Sequence, residues 1–318
     1  MRINVAVLDD YQNVASTSAD WRVLGSDTEI TVFTEHIVAT EARIQALQPF
    51  DVIVAMRERS AFPASTLAAL PRLRLIVTTG MRNAAVDVEA ATRQGVLVSG
   101  TGGLFSGTSE LTWGLIHSLT RSIPREDRAV REGHWQTSVG MDLAGATLGI
   151  LGLGLLGQSV ARVAHAFNMR VVAWSQNLTD EVAAEHGAQR LELDDLLRVS
   201  DVVTVHTQHS DRTHGLIGAR ELAIMKPSAF LINTSRGPIV DETALIAALH
   251  AGTIAGAGLD VFDIEPLPQD HPLRSAPNTV LTPHLGYVTR GTYDVFFTEI
   301  VEDIRAWLDG APVRILSP

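Results

Sequence analysis

Short apolar runs separated by helix-like stretches set the rhythm of the first hundred residues. INVAVL, EITVFT, DVIVAM, LRLIVTT and VLVSG are rich in β-branched residues and read as strands. Between some of them, EARIQAL, PASTLAAL and DVEAATRQG repeat apolar positions at helical spacing. Alternation of this kind predicts a parallel sheet with helices on its faces. A long helix is expected from about Ser106 to Ser122, followed by the charged, less apolar segment PREDRAVREGHWQTSVGMDL. A second alternating series then runs through ATLGIL, RVVAW, DVVTVHT, AFLINTS, IAGAGLDV and NTVLT. Six strands with helices between them is the number of a complete doubly wound sheet. A last amphipathic helix, about Thr292 to Leu308, stops near Gly310.

The turn after the first strand of the second series carries chemistry. In LGILGLGLLGQSVARVA, Gly152, Gly154 and Gly157 form G-x-G-x-x-G between a strand and a helix. The first glycine permits the turn, the second lets backbone approach a pyrophosphate, and the third lets helix and strand pack closely. The helix N-terminus offers free N–H groups to the phosphates. Placed at the head of a six-strand series, the loop predicts a Rossmann dinucleotide site. An acid that bonds the ribose 2′-OH is expected about 20 residues on. Ser175 stands there, followed by Gln176 and Asn177. No carboxylate repels a 2′-phosphate and no adjacent arginine grips one, so NAD and NADP both stay open.

Composition narrows the partners. The 318 residues are enough for two domains with buried cores, and 46% hydrophobic with 19% charged residues is ordinary globular composition. A formal charge of −11 argues against nucleic acid or an anionic membrane surface as partner. The absence of cysteine removes disulfides, thiolate nucleophiles and Cys-based metal centres, and no metal site is expected. It fits a reducing compartment, and a cytoplasmic location is expected. MRINVAVLDD reads as a first strand rather than a signal peptide, and no apolar run of about 18 residues suggests a membrane span.

Three segments of the last third, NTSRGPIVDE, DVFDIEP and TPHLG, place Arg236, Glu265 and His284 behind the glycine loop. Arg236 follows a strand, where ligands meet an open α/β sheet, and its planar fork suits a carboxylate with an adjacent carbonyl oxygen. His284, between Pro283 and the Gly286 turn, suits a proton donor to that oxygen. Glu265 is the expected partner, since a neighbouring carboxylate favours imidazolium.

With these motifs the chain resembles the D-isomer-specific 2-hydroxyacid dehydrogenase family over essentially its whole length. The resemblance rests on GLGLLG, NTSRGPIVDETAL, AGAGLDVFDIEP and TPHLG. It implies that Arg236 binds substrate, that His284 is the acid/base and that Glu265 tunes it. It implies cofactor contacts from Thr108, the Leu155–Leu156 backbone, Thr207, Thr234, Ser235 and the His284–Gly286 turn, with Asp260 holding the nicotinamide carboxamide. It also implies two doubly wound α/β domains. A Rossmann cofactor domain (101–287) would be inserted into a flavodoxin-like substrate domain (1–100 plus 288–318), with the catalytic cleft between them. Family members are commonly dimers; the Trp113 helix with the segment to Trp135 reads as a homodimer interface, and its Leu111, Leu115 and Leu119 read equally as ordinary core.

The chain departs from the family at the loop after the fourth strand, which there reads G-x-G-x-D-x-x-D. Here it runs Gly80, Met81, Arg82, Asn83, Ala84, Ala85, Val86, Asp87, so Arg82 replaces a glycine and Ala84 an acid. Gly80, Met81 and Arg82, with Arg57 in MRERS, are the expected substrate contacts besides Arg236. The resulting expectation is an NAD(P)-dependent oxidoreductase that interconverts a D-2-hydroxyacid and its 2-oxoacid. Two other readings use the same scaffold: a formate- or phosphite-type dehydrogenase, and a nicotinamide-sensing protein like the related transcriptional corepressors.

Overall fold

The apolar runs build two separate all-parallel sheets. The structure, a computed structural model, describes residues 2–317. Met1 and Pro318, the outer ends of the expected substrate domain, lie outside them. The chain divides into two compact units, Met1–Leu104 with Thr289–Pro318, and Phe105–Val288.

In the first unit, strands β1 (Ile3–Val7), β2 (Thr28–Val32), β3 (Val52–Ala55), β4 (Leu75–Thr78) and β5 (Leu97–Gly100) alternate with helices α1 (Ala15–Ser18), α2 (Thr40–Leu47), α3 (Ala64–Ala68) and α4 (Val88–Arg93). Their order, β2-β1-β3-β4-β5, is the flavodoxin-like one. Every residue of β3 and β4 is buried, as expected where helices cover both faces of a parallel sheet. Leu47, Ile53, Phe62, Leu67 and Ile76 lie in one apolar cluster. Each contributes roughly 1.5–3 kcal/mol on leaving water.

The second unit opens with α5 (Ser106–Thr120) and α6 (Ile123–Arg131). It continues β6 (Thr147–Leu151), α7 (Leu155–Ala166), β7 (Arg170–Trp174), α8 (Asp180–Glu185), β8 (Gln189–Arg190), α9 (Leu193–Val199), β9 (Val202–Val205), α10 (Ala219–Ile224), β10 (Phe230–Asn233), α11 (Glu242–Ala251), β11 (Gly256–Leu259) and β12 (Thr279–Leu281). A final helix, α12 (Arg290–Leu308), returns to the first unit and buries Tyr293, Phe296, Phe297, Ile300 and Ile304, an i, i+3, i+4, i+7, i+11 stripe.

The second sheet has seven strands, β12-β11-β10-β9-β6-β7-β8, one more than the six expected. The addition, β8, has two residues and pairs with β7 at the edge, too short to show any periodicity. The expected long helix ends at Thr120, and the charged segment after it opens with α6, which buries only Ala129 and so lacks an apolar stripe. Helix α5 turns Leu115, Ile116 and Leu119 into the core of its own unit, whereas Trp135 stays exposed. No helix among the described residues is long and apolar enough to cross a membrane.

Register places the chemistry. Leu151 pairs with Val205, Val205 with Asn233, Asn233 with Leu259, and Leu259 with Leu281. The next residues, Gly152, His206, Thr234, Asp260 and Thr282, therefore leave the carboxyl edge of the sheet side by side. Strand order reverses between β6 and β9, the switch point at which such sheets bind ligands.

Candidate active site

The glycine loop is shaped by close approach. Gly152 has φ +102°, and a Cβ there would stand 2.8 Å from the His206 carbonyl carbon. A Cβ on Gly157 would stand 2.1 Å from the Gly152 oxygen, so any side chain would push α7 off β6. Gly154 differs: it caps α7, and a Cβ there meets nothing within 4 Å. That open space faces the first turn of α7, where the Leu155 and Leu156 N–H groups have no intrahelical acceptor. Beside it, the Thr207 hydroxyl is shielded from solvent with no hydrogen-bond partner among the described residues, and the Thr207 carbonyl accepts from the Ser235 hydroxyl. A glycine cradle, free helical N–H groups and an unused shielded hydroxyl fit a dinucleotide pyrophosphate. Next to them, burial pushes the His206 imidazole down to about 4, so it stands neutral beside the cradle.

The Arg236, Glu265 and His284 side chains come from three loops at the same sheet edge. Asp260, fully buried, organises the His284 loop: its Oδ1 accepts from the Thr282 hydroxyl at 2.6 Å and Leu285 N–H at 2.7 Å, and its Oδ2 from Gly286 N–H at 2.9 Å. Burial raises the Asp260 carboxyl above its usual range, against the pull of these bonds and of the His284 charge. His284 adopts φ +54°, in the left-handed region that few non-glycine residues occupy, with its N–H donating to the Asp260 carbonyl at 2.8 Å. The turn so held sets His284 Nδ1 2.6 Å from Glu265 Oε2.

Glu265 is fixed from the other side by Phe262 N–H, which donates to Oε1 at 3.0 Å. Burial alone would raise its carboxyl. The His284 hydrogen bond and charge, Phe262 N–H and the Arg236 charge outweigh burial and leave it lowered. It is therefore ionised at neutral pH and accepts only. Arg236 begins a short 3-10 turn, and Gly237 lets it sit close: a Cβ on Gly237 would stand 2.1 Å from the Phe262 carbonyl carbon. The glycine of SRGP thus brings the Arg236 loop against the loop that carries Glu265.

Other expected contacts fall around this centre. Thr108 donates its hydroxyl to the Gly286 carbonyl at 3.0 Å. The Thr234 hydroxyl lies 3.0 Å from the Thr112 hydroxyl, whose own proton goes to the Thr108 carbonyl, so Thr234 donates there and its oxygen can still accept. Ser175, Gln176 and Asn177 form the turn after β7, with Ser175 half-buried and the other two exposed. Sequence reasoning missed a second clamp on the Glu265 loop. Glu242 lies 3.0 Å from His271 Nε2, and its other oxygen faces Asp263 N–H at 3.5 Å. Glu242 and His271 lie far apart in sequence, in segments whose local pattern carries no sign of the pairing.

The expected substrate residues of the first unit lie at the carboxyl ends of β3 and β4. Gly80 has φ +89°, and a Cβ there would stand 2.1 Å from Arg57 Nη1, which itself donates to the Thr79 carbonyl at 3.1 Å. Asn83, also missed, locks this loop where the family uses an acid one position later: it donates to the Arg57 carbonyl and Thr78 hydroxyl, both at 2.7 Å, and accepts from Ala85 N–H at 2.9 Å. Met81 and Arg82 are exposed.

Comparison with known proteins places the chain in a family. The family model described as D-isomer specific 2-hydroxyacid dehydrogenase, NAD binding domain, matches residues 113–286. The chain is 43% identical to a glyoxylate reductase of Aeropyrum pernix over 77% of this chain and 76% of that one. It is 36% identical to a D-3-phosphoglycerate dehydrogenase of Archaeoglobus fulgidus over 87% of this chain, which spans about half (53%) of that protein. A crystal structure of a phosphoglycerate oxidoreductase from Vibrio cholerae superposes with TM-score 0.92 at 34% identity, covering 97% of this chain and 100% of that one.

Proposed function

The chain belongs to the D-isomer-specific 2-hydroxyacid dehydrogenase family, and from that premise we propose a 2-oxoacid reductase whose chemistry rests on Arg236, Glu265 and His284. It is an oxidoreductase of the CH–OH group that interconverts 2-hydroxyacids and 2-oxoacids with a nicotinamide cofactor. The observation that carries the residue roles is the His284–Glu265 hydrogen bond beside Arg236 at the dinucleotide edge of the sheet.

Bound NAD(P)H supplies the hydride that reduces the 2-oxo carbon. Arg236 holds the substrate carboxylate and carbonyl oxygen through two donors, which orients the carbonyl. Glu265 accepts from His284 Nδ1–H, so Nε2 faces the substrate and, in the imidazolium, gives its proton to the forming alkoxide. In oxidation the neutral Nε2 takes that proton back. Glycines 152, 154 and 157, Leu155, Leu156 and Thr207 would hold the pyrophosphate. Ser175, Gln176 and Asn177 would meet the adenosine ribose, and Thr108, Thr234, Ser235 and Gly286 would line the nicotinamide end. Asp260 uses three of roughly four acceptor sites, leaving one for a carboxamide N–H. Arg57, Gly80, Met81 and Arg82 are proposed to contact substrate, with the exposed Arg82 suited to a second polar or anionic group.

The names of the relatives favour an enzyme of hydroxyacids over a cofactor sensor or a formate-type enzyme. We also read the chain as a cytoplasmic homodimer joined through the exposed Trp135 and Val139, 79% and 99% accessible, which sedimentation equilibrium checks. The test of the reading is reduction of a panel of 2-oxoacids, beginning with glyoxylate, by NADH and NADPH. Turnover with at least one is expected, and none with any would reject it.

A further inference from the structure

The two loops that flank the glycine turn touch across it. Gly152 N–H donates to the Trp174 carbonyl at 2.8 Å on the β7 side, and its Cα packs on the His206–Thr207 backbone on the β9 side. From the β9 loop, Arg212 reaches over and donates from Nη1 to Gln176 Oε1 at 3.1 Å. Gln176 directly follows Ser175, the position at which a carboxylate would bond a ribose 2′-OH and repel a 2′-phosphate.

Charge around this contact favours an anion. Among the described residues Arg212 forms no ion pair with a carboxylate, so its guanidinium keeps donors to spend. The arginine nearer in sequence, Arg190, is already committed: it donates to the Leu178 carbonyl at 2.9 Å and to Glu192 at 2.7 Å. His209 and His214, 3.4 Å apart, lie on the same loop as Arg212. The nearby carboxylates are Asp211 on that loop, Asp180 and Glu181 at the start of α8, and Asp263, whose charge acts on His209 and His214; none of them occupies the ribose position after β7.

We propose that Arg212, from the loop after β9, reads the adenosine 2′-phosphate with Ser175 and Gln176, so that this chain takes NADP(H) in preference to NAD(H). Its fork pairs with phosphate oxygens, the Ser175 hydroxyl donates to them, and the Gln176 amide, its oxygen held by Arg212, presents its N–H₂. This rests on the glycine loop binding a dinucleotide, as proposed above. The cation comes from a different strand than the one that carries the usual determinant, so inspection of the β7 turn alone does not reveal it.

Calorimetric titration with 2′,5′-ADP and 5′-AMP isolates the claim, because neither ligand carries nicotinamide or supports turnover. The intact protein should bind 2′,5′-ADP about tenfold or more tightly than 5′-AMP, the scale of a charge-assisted pair. Arg212→Ala should bring the two to within about twofold, with 5′-AMP affinity unchanged and the circular dichroism spectrum of the folded protein retained. Ser175→Asp, independent of any effect of Arg212 on folding, should reverse the preference. Equal binding of both ligands by the intact protein, or a preference that survives Arg212→Ala, would overturn the assignment. Binding of neither would overturn the dinucleotide reading and the assignment with it, whereas loss of 2-oxoacid turnover alone leaves the assignment standing.

Discussion

His284 Nδ1 lies 2.6 Å from Glu265 Oε2, and because that carboxylate is held ionised the shared proton belongs to His284. The tautomer is thereby set, with Nε2 left as the working nitrogen. Glu265→Gln keeps the shape but removes the carboxylate that fixes the Nδ1 proton, because a glutamine amide can donate to Nδ1 as readily as accept from it. In the reduction direction, kcat/KM should fall about tenfold or more, while the affinity for 2′,5′-ADP stays as it was. A wild-type kcat/KM in Glu265→Gln would remove Glu265 from the mechanism.

Gly237 offers a test that leaves every polar group in place. A methyl at this position meets the Phe262 carbonyl carbon at 2.1 Å, so the Arg236 loop and the Glu265 loop must separate. Overpacking of this kind costs roughly 1–3 kcal/mol of stability. Gly237→Ala should remain folded, yet lose about tenfold or more in kcat/KM for the 2-oxoacid, since small misplacements of a clamp are costly. Wild-type kinetics in a protein of lowered Tm would show that the close approach serves packing alone.

The sheet edge and the Arg236, Glu265 and His284 set were legible because each depends on local signals. Apolar runs four to five residues long, turn glycines and a strand-end position specify them without reference to distant parts. The features that escaped are those made by pairs remote in sequence. Gln176 and Arg212 meet only because β7 and β9 flank β6, and Glu242 meets His271 only once the chain after β11 folds back. Helix α6 escaped for another reason. Its Arg131–Asp127 pair and the Glu126 bonds to Thr137 and Ser138 stabilise it in solvent, where no apolar stripe records a helix. Asn83 shows a third case: a loop lock shifted by one position from the family pattern, found only through its three hydrogen bonds.

In the first unit, stability should depend on pH through Asp303. Its side chain is fully buried on α12, with Oδ1 2.9 Å from Arg314 Nε and Oδ2 without a partner among the described residues. Burial pushes its carboxyl from 3.8 up to about 7, against the Arg314 charge and helped by Glu299 and Glu302. Between those values the folded state holds more proton than the unfolded chain, so this group makes stability fall as pH rises. Asp303→Asn removes the titration. Urea unfolding at about pH 5 and about pH 8 should show a smaller loss of stability on going to the higher pH in Asp303→Asn than in the wild type. An identical loss in both proteins would mean that Asp303 is already ionised throughout.

The central claim is that His284 moves the proton in 2-oxoacid reduction, and His284→Gln tests it most directly. The glutamine preserves size and a hydrogen bond to Glu265 but cannot act as an acid near neutral pH. Steady-state reduction of the best 2-oxoacid should fall by about 10²–10⁴-fold in kcat, the usual share of a positioned general acid. Nicotinamide cofactor affinity, read by fluorescence titration, should stay within about twofold, because the pyrophosphate cradle at Gly152–Gly157 is untouched. A kcat within about threefold of wild type would contradict the account, since a proton donor other than His284 would then serve the reaction.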